Sequence, residues 1–162
     1  MRITVYLGLI LTLLLGTAQA QYQVRDINPG AGHGSPSGFT VLGEALFFRA
    51  NDGANGVELW KSDGTAAGTA MVVDINPGSA SAAPNLLTVL NKTLYFTANN
   101  GANGVELWKS DGTAAGTAMV VDLRPGTASA SPSPLALFGG TLFFAADDGV
   151  NGRELWKSDG TA

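Results

Sequence analysis

Three sets of residues in this chain have the types and spacing to do chemistry. Glu58, Glu106 and Glu154 each stand two residues before a tryptophan, Trp60, Trp108 or Trp156, and five before an aspartate, Asp63, Asp111 or Asp159. Paired carboxylates about 5–9 Å apart are the machinery of glycoside hydrolysis. Tryptophans held at one radius of a fold form a platform for sugars or peptides. In a third set, Asn51, Asn55, Asn99, Asn103, Asp147 and Asn151 set oxygen-bearing side chains around glycines, a faint version of a calcium loop. Cysteine is absent and His33 is the single histidine, which excludes thiolate and multi-histidine metal sites within one chain.

Each set also has a plainer reading. Glutamates on separate repeats meet one substrate only near a common axis, so no catalytic residue is assigned. Asp63, Asp111 and Asp159 precede Gly-Thr, where a turn aspartate accepts backbone N–H groups two residues on. Large indole rings dominate cores, so packing takes precedence over a platform for the tryptophans. They stay, with Glu58, Glu106 and Glu154, as the binding candidates. For calcium, Gly53 sits where an oxygen ligand is wanted, and the glutamate falls at the eighth position instead of the twelfth. The expectation is a protein without cofactor or metal. The residues peculiar to one copy are His33, Arg49 and Arg153. They are what an axial active site of a hydrolase or lyase, the alternative function, would have to use.

These residues recur because the chain repeats. Asp26–Gly30 returns as Asp74–Gly78 and Asp122–Gly126, and Glu58–Thr65 returns at 106–113 and 154–161, always 48 residues on. From Gly53 to Gly78, 24 of 26 positions equal those of Gly101 to Gly126. Four strand-like runs fill the middle copy: Leu86–Leu90, Thr93–Ala98, Val105–Ser110 and Ala118–Leu123. Asn91-Lys92, Asn99–Gly104 and Asp111–Gly116 supply turn chemistry between them. Thr93–Ala98 is apolar on both faces, so it needs cover on both sides. Four short strands every 40–50 residues is the period of propeller blades.

The fold class expected is all-β: a propeller-like array of three four-stranded antiparallel blades, either completed by association of two chains or, the favoured expectation, the front part of a longer protein, since the last repeat stops inside a hairpin and leaves a sheet edge unpaired. The alternative is a β-solenoid. Residues 1–20 read as a signal peptide: Arg2, an apolar run to Leu15, then Ala18-Gln19-Ala20. Residues 21–162 form one repeat domain. It comprises a closing strand over 21–27, which matches a fourth strand in phase, and repeats over about 28–75, 76–123 and 124–162, the last incomplete. The formal charge of −4 carries no basic footprint for nucleic acid. After signal removal nothing is left to hold a membrane.

The unit Glu-Leu-Trp-Lys-Ser-Asp-Gly-Thr-Ala-Ala-Gly-Thr, preceded by Asn-Gly-Val and followed by Met-Val-Val-Asp-Ile-Asn-Pro-Gly, resembles the ELWxxDGT repeat family of secreted and surface bacterial proteins. The resemblance covers 21–162. It implies a propeller-like fold and a location outside the cytoplasm, either secreted, periplasmic or at the cell surface, and it implies no catalytic residues. Sameness among the copies points to a non-enzymatic module that meets an extracellular protein or glycan, or serves a structural surface role, with a homodimer as one way to complete it.

Overall fold

The computed structural model describes residues 21–161, which hold eleven strands and no helix. Each repeat builds its own antiparallel sheet. The first consists of β1 (Ser37–Leu42), β2 (Ala45–Asn51), β3 (Val57–Ser62) and β4 (Ala70–Val73). The second consists of β5 (Asn85–Leu90), β6 (Thr93–Asn99), β7 (Val105–Ser110) and β8 (Ala118–Val121). The third has three strands, β9 (Ser133–Phe138), β10 (Thr141–Asp147) and β11 (Arg153–Ser158). In all three, strands adjacent in the chain are adjacent in the sheet.

Local chemistry sets the hairpins. Asn91 and Lys92 both adopt positive φ, 50° and 61°, in a two-residue turn whose twist matches that of the flanking strands. Gly139 and Gly140 do the same in the third repeat. The second hairpin has one register throughout: Phe48 faces Trp60, Phe96 faces Trp108 and Phe144 faces Trp156. Each first hairpin carries a register shift, a bulge that bends the strand.

The two-sided apolar pattern of the strands has its cause in the packing. Phe47, Leu59 and Val72 of the first sheet meet Leu94, Phe96, Ala98 and Trp108 of the second. From its other face the second sheet sends Tyr95, Leu107 and Val120 against Leu142, Phe144 and Ala146 of the third. Each fully buried leucine or phenylalanine here contributes about 1.5–3 kcal/mol. Phe48, Ala50 and Trp60 on the near face of the first sheet are covered by Ile27 of the N-terminal segment. The far face of the third sheet is open: Leu155 is 76% exposed, whereas its counterparts Leu59 and Leu107 are at 0%. The first strands of successive sheets approach one another, and Thr40 Oγ1 donates to Leu87 O at 3.1 Å.

Two expectations change. The fourth strand of the middle repeat ends at Val121 and not at Leu123, because the Leu123 N–H turns away to Glu106. Residues 21–27 form no strand. The segment expected to complete the last sheet lies instead along the first, where Arg25 donates to Thr69 O and Ile27 joins the core. The proposed signal peptide, 1–20, lies outside the described residues.

Candidate functional site

The repeated glutamate stands at the second position of the third strand of each sheet, where the linker to the next sheet passes. In the first repeat Glu58 Oε2 accepts the Ile75 N–H at 3.0 Å and Oε1 accepts the Ala82 N–H at 2.9 Å. The same stretch of linker donates Ala83 N–H to Val57 O and accepts the Asn99 N–H at Ala82 O, both at 3.0 Å. One carboxylate thus pins a linker that touches both sheets. Glu106 repeats the arrangement on Leu123 (3.2 Å) and Ala130 (2.9 Å). Both glutamates are fully buried. Burial pushes the Glu58 carboxyl up to about 7, against the Ala82 and Ile75 N–H bonds, which pull it down. Burial also raises that of Glu106. Glu154, at the same position of the third sheet, is exposed.

The rest of the motif is bonded just as consistently. Lys61 Nζ crosses to the second sheet and donates to Gly112 O at 2.7 Å; Lys109 Nζ donates to Gly160 O at the same distance. The Phe47 ring lies over Gly112, so a Cβ there would come within 2.8 Å of Cζ. Asp63 Oδ1 accepts Thr65 N–H (2.8 Å) and Oγ1–H (2.7 Å), and Asp111 and Asp159 hold Thr113 and Thr161 in the same way. These bonds, first the threonine hydroxyl and then its amide, hold all three aspartates below the usual carboxylate range. Each of these bonds lies within the Asp-Gly-Thr turn itself.

Among the binding candidates, Trp60 and Trp108 are buried, at 4% and 8% exposure. Their indole N–H groups have no hydrogen-bond partner among the described residues, and the rings pack in the apolar clusters, Trp108 between the first two sheets and Trp60 beside Ile27. Trp156 is half-buried, and its Nε1–H donates to Ala146 O at 3.0 Å. A binding role for Glu58, Glu106, Trp60 or Trp108 therefore has no exposed group to act through. Glu154 and Trp156 keep some exposure.

The calcium candidates are engaged by hydrogen bonds, most within their own turns, with Asn103 reaching Asp122 and Asp147 also accepting from Arg124. Asn51, Asn99 and Asp147 each accept, at 2.7 Å, the N–H two residues on. Asn55 and Asn151 donate to Asp52 and Asp148, and Asn103 donates to Asp122 at 2.7 Å. Side-chain oxygens that accept backbone N–H groups form Asx turns. Among the described residues no group of three histidines, cysteines or carboxylates is placed to hold a metal. The residues unique to one repeat are not brought together either. His33 is exposed, Arg49 donates to Ser37 Oγ at 2.9 Å, and Arg153 donates to Ser131 O and Ser133 O.

What the residue types did not reveal is a cavity of about 560 Å³ between the N-terminal segment and the first sheet, lined by Val24, Ile27, His33, Phe39 and Phe48 among others. Its signal in the sequence is Phe39, which stands where the other repeats have Leu87 and Leu135.

The chain matches no family model, no curated protein and no solved structure. The geometry above is what bears on function.

Proposed function

We propose that this chain is a non-enzymatic repeat module, exported by residues 1–20, whose sheets stand as propeller blades and present a surface to a protein or glycan outside the cell. The observation that carries the reading is the use of the motif itself. Glu58 and Glu106, Lys61 and Lys109, and Asp63, Asp111 and Asp159 all bond main-chain groups within or between sheets. Groups held this way build a scaffold and are not free for turnover. The propeller geometry is supported over the solenoid by two features. Each sheet is drawn from one repeat, whereas a solenoid pairs strands of successive coils. The first strands of neighbouring sheets also lie together, as innermost strands around an axis do.

The test is a glycan array together with a hydrolase and lyase screen on the chain in the form its host releases. Binding without turnover is expected. Turnover abolished by His33→Ala overturns the reading and restores the axial enzyme.

A further inference from the structure

The two linkers that join the sheets are nearly the same piece of chain used twice. Residues 74–84 run from the first sheet to the second, and 122–132 from the second to the third. Each is clamped through two amides by a buried glutamate, Glu58 or Glu106. Each makes the same main-chain bonds. Ala83 N–H donates to Val57 O and Asn99 N–H to Ala82 O in one; Ser131 N–H donates to Val105 O and Asp147 N–H to Ala130 O in the other, all at 3.0 Å. Ala83 and Ser131 both hold a φ of 50°, a left-handed strain that a linker releases when it lifts away.

Between Gly53–Gly78 and Gly101–Gly126 only two positions differ, and both lie in the linkers: Ile75 against Leu123 and Asn76 against Arg124. The second difference is one of charge. Asn76 Nδ2 donates within its own linker, to Ser81 O at 3.3 Å, and the side chain lies over Gly101 of the next sheet. Arg124 lies in the same way over Gly149, and its Nη1 donates to Asp147 Oδ2 at 3.0 Å. The position matching Asp147 is Asn99, so the first linker cannot form this ion pair.

The groups around the two clamps differ accordingly. Asp74 opens the first linker and sets like charge beside Glu58. Its Oδ1 is buried without a hydrogen-bond partner among the described residues. In the loop before Glu58, Asp52 is held by Ala54 and Asn55; the second sheet faces the linker with the neutral Asn99. Around Glu106 stand Asp122 and Arg124, with Asp147 of the third sheet paired to the arginine. A buried carboxylate with like charge beside it and no countercharge favours its neutral form. Burial, with Asp74 adding to it, pushes Glu58 up to about 7. Burial and Asp122 raise Glu106 as well, but Arg124 draws it back. The docked first linker therefore holds a proton that it gives up on lifting away, when Glu58 returns to 4.5 in water. Docking has this advantage in full below pH 4.5 and loses it as the pH rises through 7.

We propose that the first linker is a pH-gated latch, docked between the first two sheets in mild acid and released above neutral pH, while Arg124 and its pair with Asp147 make the second linker the less sensitive of the two. The apolar contact of Phe47 and Leu59 with Leu94 and Phe96 carries no titrating group, so release is a local opening. It operates whatever the sheets bind.

Amide hydrogen exchange compares the two linkers within one molecule. The chain is taken in the form its host releases, and protection is expressed relative to the unfolded chain at the same pH. From pH 5 to 8, protection of the Ile75 and Ala82 amides is expected to fall on the order of 100-fold, and that of Leu123 and Ala130 by clearly less. Glu58→Gln should flatten the fall at the first linker. Arg124→Asn, at a half-exposed side chain, should steepen it at the second. Asn76→Arg combined with Asn99→Asp, which rebuilds the ion pair at the first, should shrink it there. Equal falls at both linkers of the wild-type chain overturn the proposal, since global unfolding moves both alike; so does constant protection at the first. A fall that survives Glu58→Gln, or a folded Arg124→Asn chain whose second linker is unchanged, overturns it too. The wild-type comparison decides even where a substitution unfolds the chain. Each of these failures leaves the module reading standing, and turnover in the enzyme screen overturns that reading without touching the latch.

Discussion

The same glutamate occurs three times, twice buried against a linker and once exposed, and this allows the linker contact to be measured against an internal control. Glu58→Ala removes the acceptors of two buried N–H groups, those of Ile75 and Ala82. A buried donor left unsatisfied costs about 1–3 kcal/mol, so two cost on the order of 2–6. Relief of the buried carboxylate offsets part of this, since burial alone disfavours the charge strongly enough to lift Glu58 to about 7. The net loss expected is about 2–4 kcal/mol. Glu106→Ala, orphaning Leu123 and Ala130, should lose a similar amount. Glu154→Ala, at an exposed side chain, should stay within about 0.5 kcal/mol. Urea unfolding of the three variants reads the difference directly. In thermal melts the first two should fall by about 5–15 °C for a domain of this size. Equal losses at all three positions, or no loss at 58 and 106, would refute the linker role.

Three further outcomes follow from the same geometry. Glu58 binds its proton more tightly folded, at about 7, than at the ordinary value of 4.5, so its contribution to stability is whole below pH 4.5 and is lost as the pH rises through 7. The unfolding free energy from urea titrations should therefore fall between pH 5 and 8 by about 2–3 kcal/mol, and Glu58→Gln should flatten the slope. Gly64 and Gly112 share φ near +90°, so alanine strains both, but at Gly112 it also meets the Phe47 ring at 2.8 Å; Gly112→Ala should cost about 1–2 kcal/mol more than Gly64→Ala in the same urea assay. Acrylamide should quench Trp156 and spare Trp60 and Trp108, and Trp156→Phe should remove the quenchable emission; ready quenching that survives this substitution contradicts the burial of the other two.

The repeat, its strands and its turns were legible in the chain because they depend on local chemistry. Asn91-Lys92 and the Asp-Gly-Thr turns make their bonds within a few residues, so composition and spacing suffice to read them. The period of 48 and the two-sided apolar strands determined that sheets must be covered on both faces. The misplaced details were those set by competition between distant segments. Residues 21–27 match a fourth strand in phase, yet Ile27 is drawn into the core of the first sheet and Arg25 to Thr69 O, and no strand forms there. The last residues before the linker likewise look like strand, but Glu106 takes the Leu123 amide.

The glutamates mark the boundary most clearly. Glu58, Glu106 and Glu154 all open the same Glu-Leu-Trp-Lys-Ser-Asp-Gly-Thr run and differ nearby only in Arg153, which precedes Glu154 where the others follow a valine. Whether each is a buried clamp or a free carboxylate depends on what packs beyond its sheet, a property of no single repeat. The sequence by itself determined that three like sheets form and what chemistry each face carries. Only the tertiary structure decided which faces are covered, because burial of a side chain belongs to the pair of surfaces that meet. It left uncovered the far face of the third sheet and the pocket beside Phe39.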